Sequence, residues 1–98
     1  MNSASAQTIP YRFILFVVGN EPNSVLAREN LRHICAEYMR EGTCTITIVD
    51  VLDDFQAALD NNVLMAPTLL VEGPRGRSTI IGNLSDIDRI LLTLGCND

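Results

Sequence analysis

The residue pattern predicts an α/β domain of order β-α-β-α-β-β-α, with a mixed sheet flanked by helices. Three observations carry this. Tyr11 to Val18 is almost continuously apolar and rich in β-branched and aromatic residues, which suits a strand covered on both faces. A helical stripe and an alternating strand follow it, and strand-helix-strand at this spacing implies a right-handed parallel crossover. Two short apolar runs then flank a glycine- and proline-rich stretch over residues 72–77, which implies an antiparallel hairpin.

Taken in order, the first strand stops at Gly19-Asn20-Glu21-Pro22-Asn23, a dense turn signal. A helix is expected over residues 24–41, with Asn23 or Ser24 capping its first amides and Gly42 ending it. Its apolar stripe is Ala27, Leu31, Ile34, Cys35 and Tyr38, while Arg28, Glu29, Arg32, His33, Glu37 and Arg40 face solvent. Thr43 to Val51 alternates and is β-branched, a second strand. Asp53-Asp54 supplies a cap for a short helix reaching Asp60, with Phe55, Ala58 and Leu59 as its buried face and Asn61-Asn62 as its end. The third strand runs from Thr68 to Val71. Glu72 to Arg77 forms a loop whose arginines, Arg75 and Arg77, read as a solvated tip, and Ser78 to Ile81 returns as a strand closed by Gly82. Ser85 begins a capping box with Asp88, and Ile87, Ile90, Leu91 and Leu94 stripe the last helix up to Gly95.

Composition narrows the function. Of the 98 residues, 47% are apolar and 19% charged, enough for one buried core over residues 11–98 behind a flexible tail at 1–10. A net charge of −5 argues against nucleic-acid binding, which needs clustered Lys and Arg. No apolar run approaches the roughly 20 residues that span a bilayer. The first residues have neither a basic start nor an apolar core, so the expected location is cytoplasmic. Cys35, Cys44 and Cys96 share no pair spacing of metal or redox type and read as reduced thiols. No metal or cofactor is expected.

The organising stretch is Val63 to Val71, where a proline sits at the mouth of a strand. Pro67 lacks an amide hydrogen, so it is tolerated at a strand's first residue and excluded from central ladder positions. Read locally, the Ala66–Pro67 bond is expected trans, cis being the minority state. An Ala66-Pro67-Thr68 motif opening the third strand of this order resembles the thioredoxin fold. The resemblance implies a cis proline facing the turn after the first strand, where a redox Cys-x-x-Cys sits. Here that turn, residues 19–24, contains no cysteine, so disulfide exchange is disfavoured. His33 is the only histidine and has no indicated catalytic partner. Asp50, ending the second strand, is either a perturbed acid or a cap for the next turn.

A second resemblance covers residues 11–94. Gly19-Asn20, Pro22-Asn23-Ser24, Asp50-Val51-Leu52, Ala66-Pro67-Thr68-Leu69, Ile80-Ile81-Gly82 and Leu84-Ser85-Asp86 are similar, in order and spacing, to the KaiB family of bacterial clock proteins. The resemblance implies a non-enzymatic, metamorphic protein that binds the hexameric ATPase KaiC, competes with a sensor histidine kinase of related fold and helps sequester KaiA. It implies two arrangements that diverge after the second strand. One is a thioredoxin-like βαβαββα partner-binding state; the other is a βαββααβ ground state, a homodimer or homotetramer. It further marks Gly19, Asn20, Pro22, Asn23, Ser24, Asp50, Ala66, Pro67, Thr68, Gly82, Leu84 and Ser85 as family motif residues for partner binding or switching. Leu26 replaces a usual basic residue, Phe55 a usual proline, and the chain ends at Asp98 without an acidic tail. The competing expectations are a permanently thioredoxin-like adaptor, resembling the input domain of a clock histidine kinase, and a thiol oxidoreductase.

Overall fold

The computed structural model describes residues 11–40, 42–74 and 76–95. The expectations for the tail at 1–10, for Glu41, for Arg75 and for Cys96 lie outside the described residues. The order is β1 (Tyr11–Val17), α1 (Pro22–Tyr38), β2 (Cys44–Asp50), α2 (Phe55–Asp60), β3 (Thr68–Gly73), β4 (Gly76–Ile81) and α3 (Ile87–Leu94). This is the βαβαββα arrangement, the first of the two expected. The sheet runs β2-β1-β3-β4, with β2 parallel to β1 and with β3 antiparallel to both β1 and β4.

The central position of β1 explains its continuous apolarity. Alternate side chains enter two separate cores. Phe13, Leu15 and Val17 join Ala27, Leu31 and Ile34 of α1 and Ile90 and Leu94 of α3, while Phe16 joins Leu70 and Ala58 on the α2 face. Leu15, Phe16, Val17 and Leu69 are fully buried, and each such side chain contributes roughly 1.5–3 kcal/mol of transfer free energy. Gly73 is fixed by a close approach: a Cβ there would lie 2.6 Å from the Tyr11 ring, whose hydroxyl donates to the Leu94 carbonyl at 2.7 Å.

Several local expectations are corrected. Helix α1 begins at Pro22, so Asn23 and Ser24 lie inside its first turn and cap nothing. Glu21 is the cap, its carboxylate accepting from the Ser24 amide at 3.0 Å. The helix ends at Tyr38 because Met39 turns extended, so Gly42 belongs to the connector and is not the stop. Tyr38 is exposed, stepping off the stripe in the last turn and meeting His33 edge-on. The hairpin is tighter than expected, since Glu72, Gly73, Gly76 and Arg77 are already paired. Arg77 therefore sits in β4 and not at the tip; it is exposed, as expected, and donates to the Asn61 side chain at 2.7 Å. Asp86, one residue later than Ser85, caps α3 by accepting from the Arg89 amide. On α2, Asp54 caps as expected, but only Ala58 is buried; Phe55 and Leu59 face out because six residues make too few turns to cover that face of the sheet.

Candidate functional site

The family motif residues gather at one end of the sheet, where β1 and β2 finish, β3 begins and β4 finishes. Three links hold them there. The first joins the turn after β1 to the end of β2: the Asp50 carboxylate accepts from the amides of Gly19 at 3.2 Å and Leu52 at 3.0 Å. Arg28 braces the same turn from α1, donating to the Gly19 carbonyl at 3.1 Å and the Asn20 side chain at 3.3 Å. Of the two expectations for Asp50, the geometry assigns the cap. Arg28 was read only as a solvated face; that a helix side chain reaches back nine residues has no local signature.

The second link is internal to the turn. Ser24 is completely buried, and its hydroxyl accepts from the Val18 amide at 3.0 Å, satisfying the chain just past β1. The third joins α1 to the connector between β4 and α3. Asn83 donates to the Asn23 side chain at 3.2 Å and accepts from the Ser85 amide at 3.1 Å, while Asn30 donates to the Asn83 carbonyl at 2.8 Å. Leu84 follows at a φ of 66°, uncommon for a non-glycine residue, with its side chain seated in the α1–α3 core.

Pro67 lies across from this turn at the start of β3. The Ala66–Pro67 bond is cis, correcting the local trans expectation and matching the one drawn from the fold resemblance. Tertiary closure decides it: Thr68 pairs with Phe16 on one side and Ile81 on the other, its hydroxyl donates to the Met65 carbonyl at 2.6 Å, and the Gly82 amide donates to the Pro67 carbonyl at 3.0 Å.

Around this framework stands a rim of exposed apolar side chains: Leu52, Phe55, Leu64, Met65 and Ile81. Leu64 is 90% exposed and Leu52 71%, so neither contributes to the core. Met65, Leu64 and Ile81 also line a cleft of about 390 Å³ between the end of α2 and β4. Among the described residues no three His, Cys, Asp or Glu side chains are grouped as metal ligands. Cys35 and Cys44, whose sequence spacing carries no pair signal, are free thiols and neighbours, because α1 runs back along the sheet and ends near the start of β2. They lie at the end of the sheet opposite Pro67, since Cys44 pairs with Tyr11 and Asp50 with Val17.

The arrangement is a thioredoxin-like domain whose cis proline faces a turn of amide, carboxylate and asparagine groups and no thiol. Solved structures agree on that fold. The N-terminal domain of Synechococcus elongatus SasA superposes with a TM-score of 0.74 at 20% identity, covering 100% of this chain and 95% of that one. The Drosophila germline thioredoxin Deadhead superposes with a TM-score of 0.70 at 12% identity, covering 92% and 86%. The KaiB domain model matches residues 14–96. A circadian clock oscillator protein KaiB of Acaryochloris marina is 40% identical over 86% of this chain and 80% of its own length, and one of Nostoc punctiforme is 39% identical over the same shares. The chain belongs to the KaiB family. No described helix is long and apolar enough to cross a membrane.

Proposed function

We propose that this chain is a non-enzymatic regulatory protein that docks on a KaiC-type ATPase, in circadian or related regulation, through the apolar rim around Pro67. The rim carries the reading. Five large apolar side chains stand exposed on the loops and element ends around a framework braced by Asp50, Arg28 and Asn83, a surface built for contact and not for turnover. The family resemblance adds the ATPase and a switch between two arrangements of the segment beyond β2, with KaiA or a histidine kinase as further partners.

Size-exclusion chromatography with a KaiC-type ATPase, in ATP and in ADP, tests this. Leu64→Glu leaves the core untouched and is expected to weaken the complex by at least about tenfold, as loss of an interface anchor does. Absence of a complex in either nucleotide overturns the proposal.

A second reading is a permanently thioredoxin-like adaptor, favoured by the full-length likeness to the SasA domain. A monomer with one set of amide resonances supports it; two sets, or an oligomer that dissociates on binding, support the switching protein.

A further inference from the structure

Cys35 lies in the second half of α1 and Cys44 opens β2, with a short connector between them. Cys44 is near enough to Cys35 to interact with its thiol and hold the proton on it. Both pack at the margin of the α1–α3 core and both line one open cleft, with Arg32, Met39 and Ile46. The pair is therefore in contact with itself and reachable from solvent. Neither thiol takes part in the framework around Pro67, at the other end of the sheet.

We propose that Cys35 and Cys44 are an oxidisable pair that closes reversibly to an intramolecular disulfide, with a low-molecular-weight disulfide such as oxidised glutathione as the oxidant. Burial and the adjacent Cys44 push Cys35 up to about 12, so Cys35 keeps its proton at neutral pH and is the second thiol to react. In the first step the Cys44 thiolate attacks one sulfur of the oxidant; a protein–glutathione bond forms, the oxidant's S–S bond breaks, and one glutathione thiolate leaves. In the second, that thiolate takes the Cys35 proton and the Cys35 sulfur attacks the Cys44 sulfur, displacing the second glutathione as a thiolate that water protonates. Two protein thiols lose two electrons, and the oxidant gains them as two glutathione thiols.

The product would pin the end of α1 to the start of β2 by closing the connector into a loop. That constrains the unfolded chain more than the folded one, so the oxidised protein melts higher.

The full chain tests this without substitution, because trypsin cleavage after Arg32, Arg40, Arg75 and Arg89 leaves the three cysteines in separate peptides, 33–40, 41–75 and 90–98. The native protein is equilibrated in glutathione buffers of rising oxidised fraction, quenched with acid, alkylated and mapped without reduction. The expected product is a chain lighter by two hydrogens, with peptide 33–40 joined to 41–75, a raised melting temperature, and reversal by dithiothreitol. Cys35→Ser should instead stop at a glutathione adduct on Cys44 with no rise in melting temperature. Accumulation of glutathione adducts or linked dimers in the parent chain, a dominant link to peptide 90–98, or no reaction while circular dichroism shows the fold intact would each overturn the proposal.

Discussion

Replacing Gly82 by alanine separates two claims that otherwise travel together. Gly82 has a φ of 117°, a conformation L side chains rarely adopt, and a Cβ built on it meets nothing within 4 Å. The effect of Gly82→Ala is therefore one of backbone conformation, without steric clash. Holding a non-glycine residue there costs about 1–3 kcal/mol. The stiffer unfolded chain offsets about 0.4–1 kcal/mol of this, leaving a net loss of ~1–2 kcal/mol. That lowers the folded-to-unfolded ratio by roughly 5- to 30-fold. Gly42→Ala is the matched control, with a φ of 82° and equally open surroundings, but it precedes β2. Urea denaturation should show both variants losing stability to a similar extent. On the switching proposal only Gly82 lies in the segment that rearranges, so only Gly82→Ala should move the balance between two sets of amide resonances. An unchanged urea midpoint for Gly82→Ala refutes the backbone argument. Lowered midpoints in both variants, with no second set of resonances in either, leave that argument standing and sink the switch.

Three further outcomes follow from the hydrogen bonds and the thiol. Ser24→Ala leaves the half-buried Val18 amide without its acceptor and should cost about 1 kcal/mol, with faster hydrogen exchange at Val18. Asp50→Ala removes both amide contacts that tie the turn after β1 to β2 and should cost about 1–3 kcal/mol; Asp50→Asn keeps an acceptor oxygen and should lose less, as thermal melts would register. Cys35, sharing its cleft with Cys44 and Arg32, holds its proton up to about 12 in the folded chain against an ordinary value of 9.0. The folded state therefore binds the proton more tightly, and this contribution is complete below pH 9 and is lost as pH rises toward 12. Melting temperatures above pH 9 should fall more steeply for the parent than for Cys35→Ala under reducing conditions.

Much of the scaffold was legible because its signals are local. An unbroken apolar run announces a strand with two covered faces, and β1 has two. The stripe Ile87, Ile90, Leu91, Leu94 needs only the helical period. An aspartate before a short helix caps it, as Asp54 does. What was not legible depends on position in space. The alternation of Thr45, Ile46, Thr47 and Ile48 marks a strand but carries no sign that β2 is an edge, where both isoleucines are more than a third exposed. Phe55 and Leu59 looked buried because they are apolar, whereas a helix of six residues has room to bury only Ala58. The candidate site was legible as a set of motifs. Its bracing was not: Arg28 and Asn83 are ordinary polar residues whose roles arise only when α1 lies beside the turn after β1 and the connector after β4.

The edge position of β2 bears on how the protein behaves in a tube. Among the described residues only β1 pairs with it, so its outer row of amides and carbonyls is open. The segment Cys44-Thr45-Ile46-Thr47-Ile48-Val49 holds no proline, glycine or charge, the makeup of a strand that templates its own kind. Asp50 is the one charge on the strand. Colloidal stability thus rests on the chain's overall negative charge, which disappears near the isoelectric point of about 4.6. Light scattering during acidification should rise as that point is neared, and Thr47→Glu, which adds negative charge on the exposed edge and lowers that point, should postpone it.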